Sequence, residues 1–289
     1  MDVIRRLGKA QRMPWRRVWP LRHPACRELV QRAQHPAWKR WARCTLPNLL
    51  VLLVLFSLIA SLAHAGPDAQ QLLANADRAR GGGLPGIVWT IHLTPREGDR
   101  KLEDQRLEVR ATDDASVAET LEPARFRGAK ILQVGRNMWL TKTGLSKPIP
   151  VSPRQRMTGQ ASNGDIAATN YAADYNATLT GEEAIDGEPC YVLELTAKHK
   201  RTTYDRVRYW VSKSRGVAAK AEFFSLSGKL LKTAMFDYGN EIRHDGKRIP
   251  FVSRMTIRDA LIDAETEMRY ETVKIRKLPA SEFDLGQMQ

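Results

Sequence analysis

The sequence predicts a mainly β protein of the α+β class, folded as one large curved antiparallel sheet or barrel. Alternation of apolar and polar residues, typical of strands with one buried face, recurs in about ten segments from residue 87 onward. Turn sequences such as Asp186-Gly187 and Asp245-Gly246 punctuate this series. The chain lacks the strand–helix–strand rhythm that a parallel sheet would require. Only the start of this region has a convincing helical pattern.

That helix is predicted in "DAQQLLANADRARGGG", which begins at residue 68. Asp68 can cap its start, and Gln71 stands three residues later in the capping-box position. Glycines 81–83 are expected to end it. Its spacing places four apolar residues on one stripe: Leu72, Leu73, Ala76 and Ala79.

A tight hairpin is predicted in "KAEFFSLSGKLLKTAMF", residues 220–236, around its Ser-Gly turn. Ala221 and Phe223 face one side of the sheet, while Lys220 and Glu222 face the other. A half-closed sheet with a wet outer face must fill its inside with side chains, a helix or a ligand. The sequence therefore raises the question of what covers the apolar face.

A long irregular segment, residues 147–175, interrupts the strands. It is rich in Pro, Gly, Ser and Asn, and residues 123–156 contain eight Lys/Arg and no acidic residue. This composition predicts a long loop with short helices that lies over an opening of the sheet.

The N-terminal 65 residues have the pattern of an export leader. Residues 1–44 hold 12 Lys/Arg and two acidic residues, so they supply most of the formal net charge of +14. The apolar run 49–63 and the triplet Ala63-His64-Ala65 follow. A basic region, an apolar core and small residues at the end predict a signal peptide cleaved after about Ala65. An uncleaved anchor in the inner membrane is the alternative. The predicted organisation is a leader (1–65) and one domain (66–289).

The sequence offers no arrangement typical of a catalytic or metal site. His92, His199 and His244 are isolated, without metal-ligand spacing. Cys26 and Cys44 belong to the leader, which leaves Cys190 as a small buried residue and excludes a disulfide within the exported chain. We expect no enzyme activity, no cofactor and no metal.

A glycine pattern and a basic cluster have ordinary explanations. Gly81, Gly83 and Gly86 match a dinucleotide fingerprint, but they follow a helix and precede a strand, which reverses the required order. The eight Lys/Arg of residues 198–220 face one acidic residue, Asp205. Solvated strand edges explain them, and docking to an anionic membrane surface or an acidic partner is the alternative. Aromatic residues for base stacking are sparse, so nucleic acid is not an expected partner.

Three stretches carry a resemblance to a known family: "VRYWVSKSRGVAAKAEFFSLSGKLLKTAMFDY", "DGKRIPFVSRMTIRD" and "LPASEFDLGQM". Together with the opening helix, they resemble the outer-membrane lipoprotein-sorting proteins of the LolA/LolB-like superfamily. The resemblance covers most of residues 67–287. It implies an incomplete antiparallel β-barrel of about eleven strands, with an N-terminal helix, a helical or loop lid and an apolar cavity for acyl chains.

The resemblance implies a monomeric periplasmic carrier of lipid or lipoprotein, with an inner-membrane export protein as a candidate partner. A non-catalytic regulatory or scaffold module that binds a membrane protein is the alternative. An ordinary filled core also remains open as an explanation of the apolar face. Arg154 and Arg156 on the loop are candidates for contacting a lipid headgroup. The candidate cavity residues are Trp89, Ile91, Leu93, Leu193, Leu195, Tyr209, Val211, Ala221, Phe223, Met255 and Ile257.

Overall fold

The computed structural model describes residues 66–167 and 170–288. The predicted leader, its cleavage after about Ala65, Cys26 and Cys44 lie outside these residues, so the leader and the division at residue 65 stay predictions. The helices are α1 (Ala69–Arg78), α2 (Asn163–Ala167) and α3 (Tyr171–Asp174). Short 3-10 turns span Ala124–Phe126, Ala280–Phe283 and Leu285–Gln287.

The strands follow one another with short connections. Their bounds are β1 (Ile87–Glu97), β2 (Arg100–Lys101), β3 (Gln105–Ala111), β4 (Ala115–Glu122), β5 (Lys130–Val134), β6 (Asn137–Thr141), β7 (Ile149–Val151), β8 (Arg156–Thr158), β9 (Ala161–Ser162), β10 (Tyr175–Ile185), β11 (Glu188–Ala197), β12 (Arg206–Ser212), β13 (Ala218–Phe224), β14 (Leu230–Asp237), β15 (Asn240–His244), β16 (Lys247–Phe251), β17 (Arg254–Asp259) and β18 (Ala264–Ile275).

One large antiparallel sheet dominates the described residues. It has 14 strands in the order β10-β11-β12-β13-β14-β17-β18-β1-β3-β4-β5-β6-β7, with β2 paired to β1. The edge strands β10 and β7 do not pair with each other, so the sheet is not closed. The predicted incomplete antiparallel β-barrel is thereby confirmed. Strands beyond the expected eleven include the two-residue β2 and the three-residue β7, which have little sequence in which to show an alternating pattern.

The register brings apolar residues of successive strands side by side on one face. Leu193 lies opposite Tyr209, Tyr209 opposite Ala221, and Ala221 opposite Ala234. The row continues across β17 and β18, where Met255 pairs with Met268. Because neighbours in register share a face, this side of the sheet is apolar over most of its width. We call it the inner face.

The predicted hairpin and the predicted N-cap residue of α1 are both present, but the capping box is not. Gly228 takes a φ of 80° in the turn between β13 and β14, a conformation that favours glycine. The Asp68 side chain accepts a hydrogen bond from the Gln70 backbone at 2.9 Å and caps α1. The predicted capping box was wrong, because Gln71 bonds the Asn75 side chain instead.

Helix α1 covers the inner face. Leu73 and Ala76 of its apolar stripe are fully buried in the main core cluster, together with side chains from β1, β3, β11–β14, β17 and β18. A second cluster lies elsewhere, where Val117 and Leu132 pack against Leu278, Phe283 and Met288 of the C-terminal segment. Among the described residues, no helix has the length and apolar character needed to cross a membrane.

Candidate functional site

The structure brings all the candidate cavity residues together in the main core cluster. Each of the eleven side chains is at most 1 % exposed. Two of them, Tyr209 and Phe223, belong to a chain of aromatic contacts: Tyr209 packs against Tyr171 of α3 at 5.9 Å between ring centroids, and Phe223 stacks on Tyr204 at 4.2 Å. The inner face is therefore filled by helix residues and aromatic rings of the chain itself. The expected open apolar cavity is not seen there, because none of the eleven residues lines a cavity described for residues 66–167 and 170–288.

Two helices cover this cluster, and polar contacts hold them to each other. We call α1 and α3 the helical cap. The Gln70 side chain donates to the carbonyls of Ala172 at 2.9 Å and Tyr175 at 3.2 Å, and accepts from the Ala177 backbone at 3.0 Å. Asp77 accepts from the Ala172 backbone at 2.7 Å. The cap is thus one unit, joined at both ends of α1.

The connection between β9 and α3 is anchored by a buried ion pair. Lys232 of β14 lies 2.9 Å from Asp165 of α2, and it also donates to the Gln160 carbonyl at 2.7 Å and the Ser162 hydroxyl at 3.0 Å. Asp165 accepts in addition from the Tyr204 hydroxyl at 2.7 Å. All hydrogen-bonding capacity of the ammonium is used, so this pair is well compensated for its burial.

A second buried cation, Arg80, has a different environment. It follows the end of α1 and is 4 % exposed. Its guanidinium carbon lies 4.7 Å from the ring centroid of Tyr171 and 5.3 Å from that of Phe236. These are cation–π distances. No described carboxylate forms an ion pair with it, and its Nη1 atom has no hydrogen-bond partner.

Burial controls the protonation of the groups around Arg80. Desolvation raises the pKa of Asp77 to about 7, against the opposing effects of the Ala172 hydrogen bond and the Arg80 charge. Desolvation likewise raises the pKa of Tyr209 to about 12 and that of Tyr171 well above its usual value. The tyrosines are therefore neutral hydroxyl donors at neutral pH, and Asp77 is only partly ionised.

The two candidate headgroup residues lie outside the core. Arg154 forms a two-pronged pair with Asp205 at 2.7 and 2.9 Å, and Arg156 lies 2.9 Å from Asp259. Both line a cavity of about 290 Å³ next to the β13–β14 hairpin. Each already has a carboxylate partner, so contact with a headgroup would have to share or replace that partner. The headgroup role stays a prediction.

A larger cleft of about 740 Å³ lies at the ends of β3–β6 and has both polar and apolar lining residues. His199 and Asp174 meet in its wall at 3.1 Å. Its other charged lining residues are Lys200, Arg201, Arg136, Asp113 and Asp114, so cationic and acidic side chains are balanced there. No group of three or more potential metal ligands occurs in the part of the chain that the structure describes.

The basic run of residues 198–220 is largely neutralised by carboxylates of the same or neighbouring strands. Five of its eight cations lie within 4 Å of a carboxylate: Arg206 with Glu194, Arg208 with Glu183, Lys213 with Glu182, Arg215 with Glu188, and Lys220 with Glu222. The partners come from β10, β11 and β13. Solvated strand edges therefore account for most of this charge.

Sequence reasoning missed the buried charges. Asp77 and Arg80 lie four and seven residues after Leu73, which is the spacing of one helix face, so both could have been placed beneath α1. Lys232 shares the parity of Ala234 and Phe236 on β14, which places it on the inner face. Attention to charged residues at apolar positions would have found all three.

Comparison with known proteins decides the family. A family model described only as an uncharacterized protein matches residues 112–289. The crystal structure of a LolA superfamily protein from Nitrosomonas europaea is 36% identical, with a TM-score of 0.68, and the match covers 75% of this chain and 97% of that one. The chain belongs to the LolA superfamily.

Two further structures share the LolA-superfamily fold with this chain at low identity. A DUF1329 family protein from Desulfovibrio piger is 22% identical, with a TM-score of 0.64 and coverage of 76% of this chain and 98% of that one. A putative outer membrane lipoprotein-sorting protein domain from Vibrio parahaemolyticus is 16% identical, with a TM-score of 0.65 and coverage of 76% and 97%. No curated protein matches this chain.

Proposed function

We propose that this protein is a periplasmic carrier of lipid or lipoprotein that holds acyl chains against the inner face. The observation that carries the proposal is a continuous apolar face, built from the eleven candidate residues and covered by the helical cap. Membership of the LolA superfamily supports it, as does the lipoprotein-sorting name of the Vibrio parahaemolyticus domain.

Acyl chains would enter by displacing the cap. In this structure Leu73 and Ala76 pack on the inner face, so a hydrocarbon chain that lay there would have to replace them. An acyl chain offers the same kind of surface, and each buried methylene contributes about 0.8 kcal/mol. A single lipid tail would thus supply on the order of 10 kcal/mol, enough to replace the apolar contacts of α1 and the hydrogen bonds of Gln70 and Asp77.

The carrier would do no chemistry on its cargo. Its expected partners are an inner-membrane export protein that donates the lipid and an acceptor at the outer membrane. A second candidate function is a scaffold that binds a segment of a membrane protein. The cleft of about 740 Å³ favours this alternative, because it is open to solvent and offers both cationic and acidic side chains to a partner.

Lipid extraction tests the proposal. The full chain, with its own leader, would be expressed in a bacterial host, and the exported protein would be purified and weighed intact by mass spectrometry. Organic extraction followed by lipid mass spectrometry should release co-purified lipid, and stripped protein should take up a fluorescent fatty acid. Protein that carries no lipid and does not bind the fluorescent fatty acid would contradict the carrier function and favour the scaffold function.

A further inference from the structure

Six buried polar groups of the described chain lack a hydrogen bond of good geometry, although looser polar contacts join Tyr209 to Arg80, Asp77 to the Tyr171 backbone and Tyr238 to the Ala218 backbone. They are the Nη1 atom of Arg80, the Oδ1 atom of Asp77, the Nε1 atom of Trp89 and the hydroxyls of Tyr171, Tyr209 and Tyr238. Buried polar atoms are rarely left unpaired, and each exception calls for a physical explanation. We call these six residues the Arg80 cluster.

Three members of the Arg80 cluster lie close together. The Tyr171 ring lies under the guanidinium at 4.7 Å, and Tyr209 packs against Tyr171 at 5.9 Å between centroids. The indole of Trp89 also reaches this end of α1 through its six-membered ring, because a Cβ atom placed on Gly81 would be 3.6 Å from two carbons of that ring. Arg80, Tyr171 and Tyr209 therefore occupy one region, where the end of α1 meets the inner face.

The Arg80 cluster contains more hydrogen-bond donors than acceptors. Arg80, Trp89 and the three tyrosines all donate hydrogen bonds, and the tyrosine hydroxyls can also accept. Among the unpaired atoms, only Asp77 Oδ1 is a dedicated acceptor, and the other oxygen of Asp77 is already used by the Ala172 backbone. The charge of Asp77 acts on Arg80, but no carboxylate forms an ion pair with it in the described chain, and a buried cation that lacks such a pair is costly because it has lost its water.

Arg80 differs from the other buried cation, Lys232, in its hydrogen-bond partners. Lys232 has three acceptors, one of them the Asp165 carboxylate, so its charge is compensated within the chain. Arg154 and Arg156, nearer the surface, are also paired with carboxylates. Arg80 combines burial, planar donors and the lack of a described carboxylate partner, which is the combination that suits an oxyanion from outside the chain.

We infer that the Arg80 cluster is a binding site for the anionic oxygens of an amphipathic ligand, a carboxylate or phosphate group, whose hydrocarbon chain lies along the inner face. The ligand then enters with its charged end inward, beneath α1. Arg80 and the hydroxyls of Tyr171 and Tyr209 hold the oxyanion, and the apolar face holds the chain. This inference rests on the proposed carrier function and adds the charge and orientation of the cargo.

Ligands of equal length test the inference. Palmitate and hexadecanol would be titrated into the stripped full-length protein, because they differ only in the charged end. The wild type should bind palmitate at least about tenfold more tightly, as expected for charge-assisted hydrogen bonds to a buried guanidinium. Arg80→Met, which keeps an unbranched apolar side chain and removes the charge, should abolish that preference, with a smaller loss for hexadecanol, whose hydroxyl can accept one neutral hydrogen bond at the same place.

Control variants separate recognition from structure. Arg258→Met, which removes an exposed arginine of β17 that pairs with Glu265, should keep the full preference for palmitate. If Arg80→Met does not fold, Tyr171→Phe and Tyr209→Phe provide the test, and each should lower the preference by about two- to tenfold. Equal affinity for the two ligands in the wild type, or a preference that survives both Arg80→Met and the tyrosine variants, would overturn the site.

Two further arms identify the source of the anion and separate this inference from the carrier function. Acetate and inorganic phosphate at millimolar concentration should compete weakly if the hydrocarbon chain is needed, whereas competition as strong as that of palmitate would point to a free anion. If neither palmitate nor hexadecanol binds, the carrier function fails. In that case, the lack of an Arg80-dependent rise in Tm with either small anion would also reject the oxyanion site and leave the cluster with bound water only.

Discussion

At the scale of single residues, two cations are buried in the described interior, and they differ in whether a carboxylate pairs with them. Lys232 has its charge matched by Asp165 and its remaining protons bound by Gln160 and Ser162. Arg80 is packed between aromatic rings, with no such set of acceptors. The first arrangement fixes a connection to the sheet, and the second leaves binding capacity unused. Stability effects should therefore concentrate at Lys232, and ligand effects at Arg80.

Replacing Lys232 by Met should destabilise the fold by about 3–5 kcal/mol, because the buried Asp165 carboxylate then has no counter-charge. Urea unfolding followed by circular dichroism measures the loss. Arg254→Met is the matched control, since Arg254 pairs with Asp237 at 2.7 Å but is 50% exposed. That control should lose no more than about 1 kcal/mol. Equal losses in the two variants would show that the Lys232 pair does not anchor the connection.

Asp77 should make stability depend on pH. Its folded pKa of about 7 lies above the ordinary value of 3.8, so the folded state favours the protonated acid. The stability associated with that proton is fully present below pH 3.8 and is lost as the pH rises through 7. Between pH 5 and pH 8 the wild type should lose about 2–3 kcal/mol relative to Asp77→Asn, on the order of 1.4 kcal/mol per unit of pKa difference.

The two proteins would be unfolded in urea at several pH values. Asp77→Asn keeps a carbonyl oxygen that can accept from the Ala172 backbone, and it lacks the titrating proton. Subtracting its plot of unfolding free energy against pH from that of the wild type therefore cancels the contributions of the other titrating groups. A difference between the two curves that stays constant from pH 5 to pH 8 would contradict a raised pKa for Asp77.

At the scale of elements, helix α1 is held by packing on one face and by two side chains that reach α3 and β10. Gln70 contributes three hydrogen bonds to backbone groups of residues 172–177, and Asp77 contributes one. These bonds join elements about 100 residues apart in sequence. They are the contacts that must break if the cap opens over the inner face.

Gln70→Ala should loosen the cap without unfolding the sheet. The loss of three hydrogen bonds should lower the local opening free energy by about 1–3 kcal/mol. Hydrogen exchange measured by mass spectrometry should then be faster in residues 170–178 and unchanged in β12 and β13. Gln71→Ala is the control, because Gln71 is exposed and bonds only Asn75 of its own helix. Equal exchange in the two variants would show that Gln70 does not hold the cap.

The predictability of each element follows from the range of the interactions that form it. The alternation of Trp89, Ile91 and Leu93 is local, so the sequence alone indicated β1 and its buried face. The short strands β8 and β9 pair with each other inside the irregular loop, and two or three residues show no usable period. Arg80 could be placed on a helix face, but its aromatic neighbours come from α3 and β14, far along the chain.

At the scale of the whole molecule, the described part of the sheet has three clusters of buried apolar residues, of which the smallest contains Cys190, Val192, Trp210 and Ala219. The inner face from β11 to β3 meets the helical cap, and the cluster around Val117 and Leu132 meets the C-terminal segment. Both contain fully buried apolar residues, yet of these two only the inner face is covered by a helix, α1, that side-chain hydrogen bonds of Gln70 and Asp77 hold in place. The C-terminal cluster is therefore a natural internal control for any effect of lipid on the core.

Affinity should depend on hydrocarbon length in a way that reports the capacity of the inner face. For fatty acids of about 8 to 16 carbons, each added methylene should tighten binding about fourfold, the equivalent of 0.8 kcal/mol, until the available surface is covered. Leu193→Ala removes buried methyl groups from the inner face and should move this plateau to a longer chain by about two methylenes. Isothermal titration across the series measures both effects.

Leu132→Ala is the matched control, since Leu132 is an equally buried strand leucine of the C-terminal cluster. Both variants should lose about 2–5 kcal/mol of stability, as buried leucines do when truncated. Only Leu193→Ala should shift the plateau, because only that side chain lines the proposed path of the acyl chain. Affinity that does not change with chain length, or a plateau that moves equally in the two variants, would mean that the fatty acid binds outside the inner face.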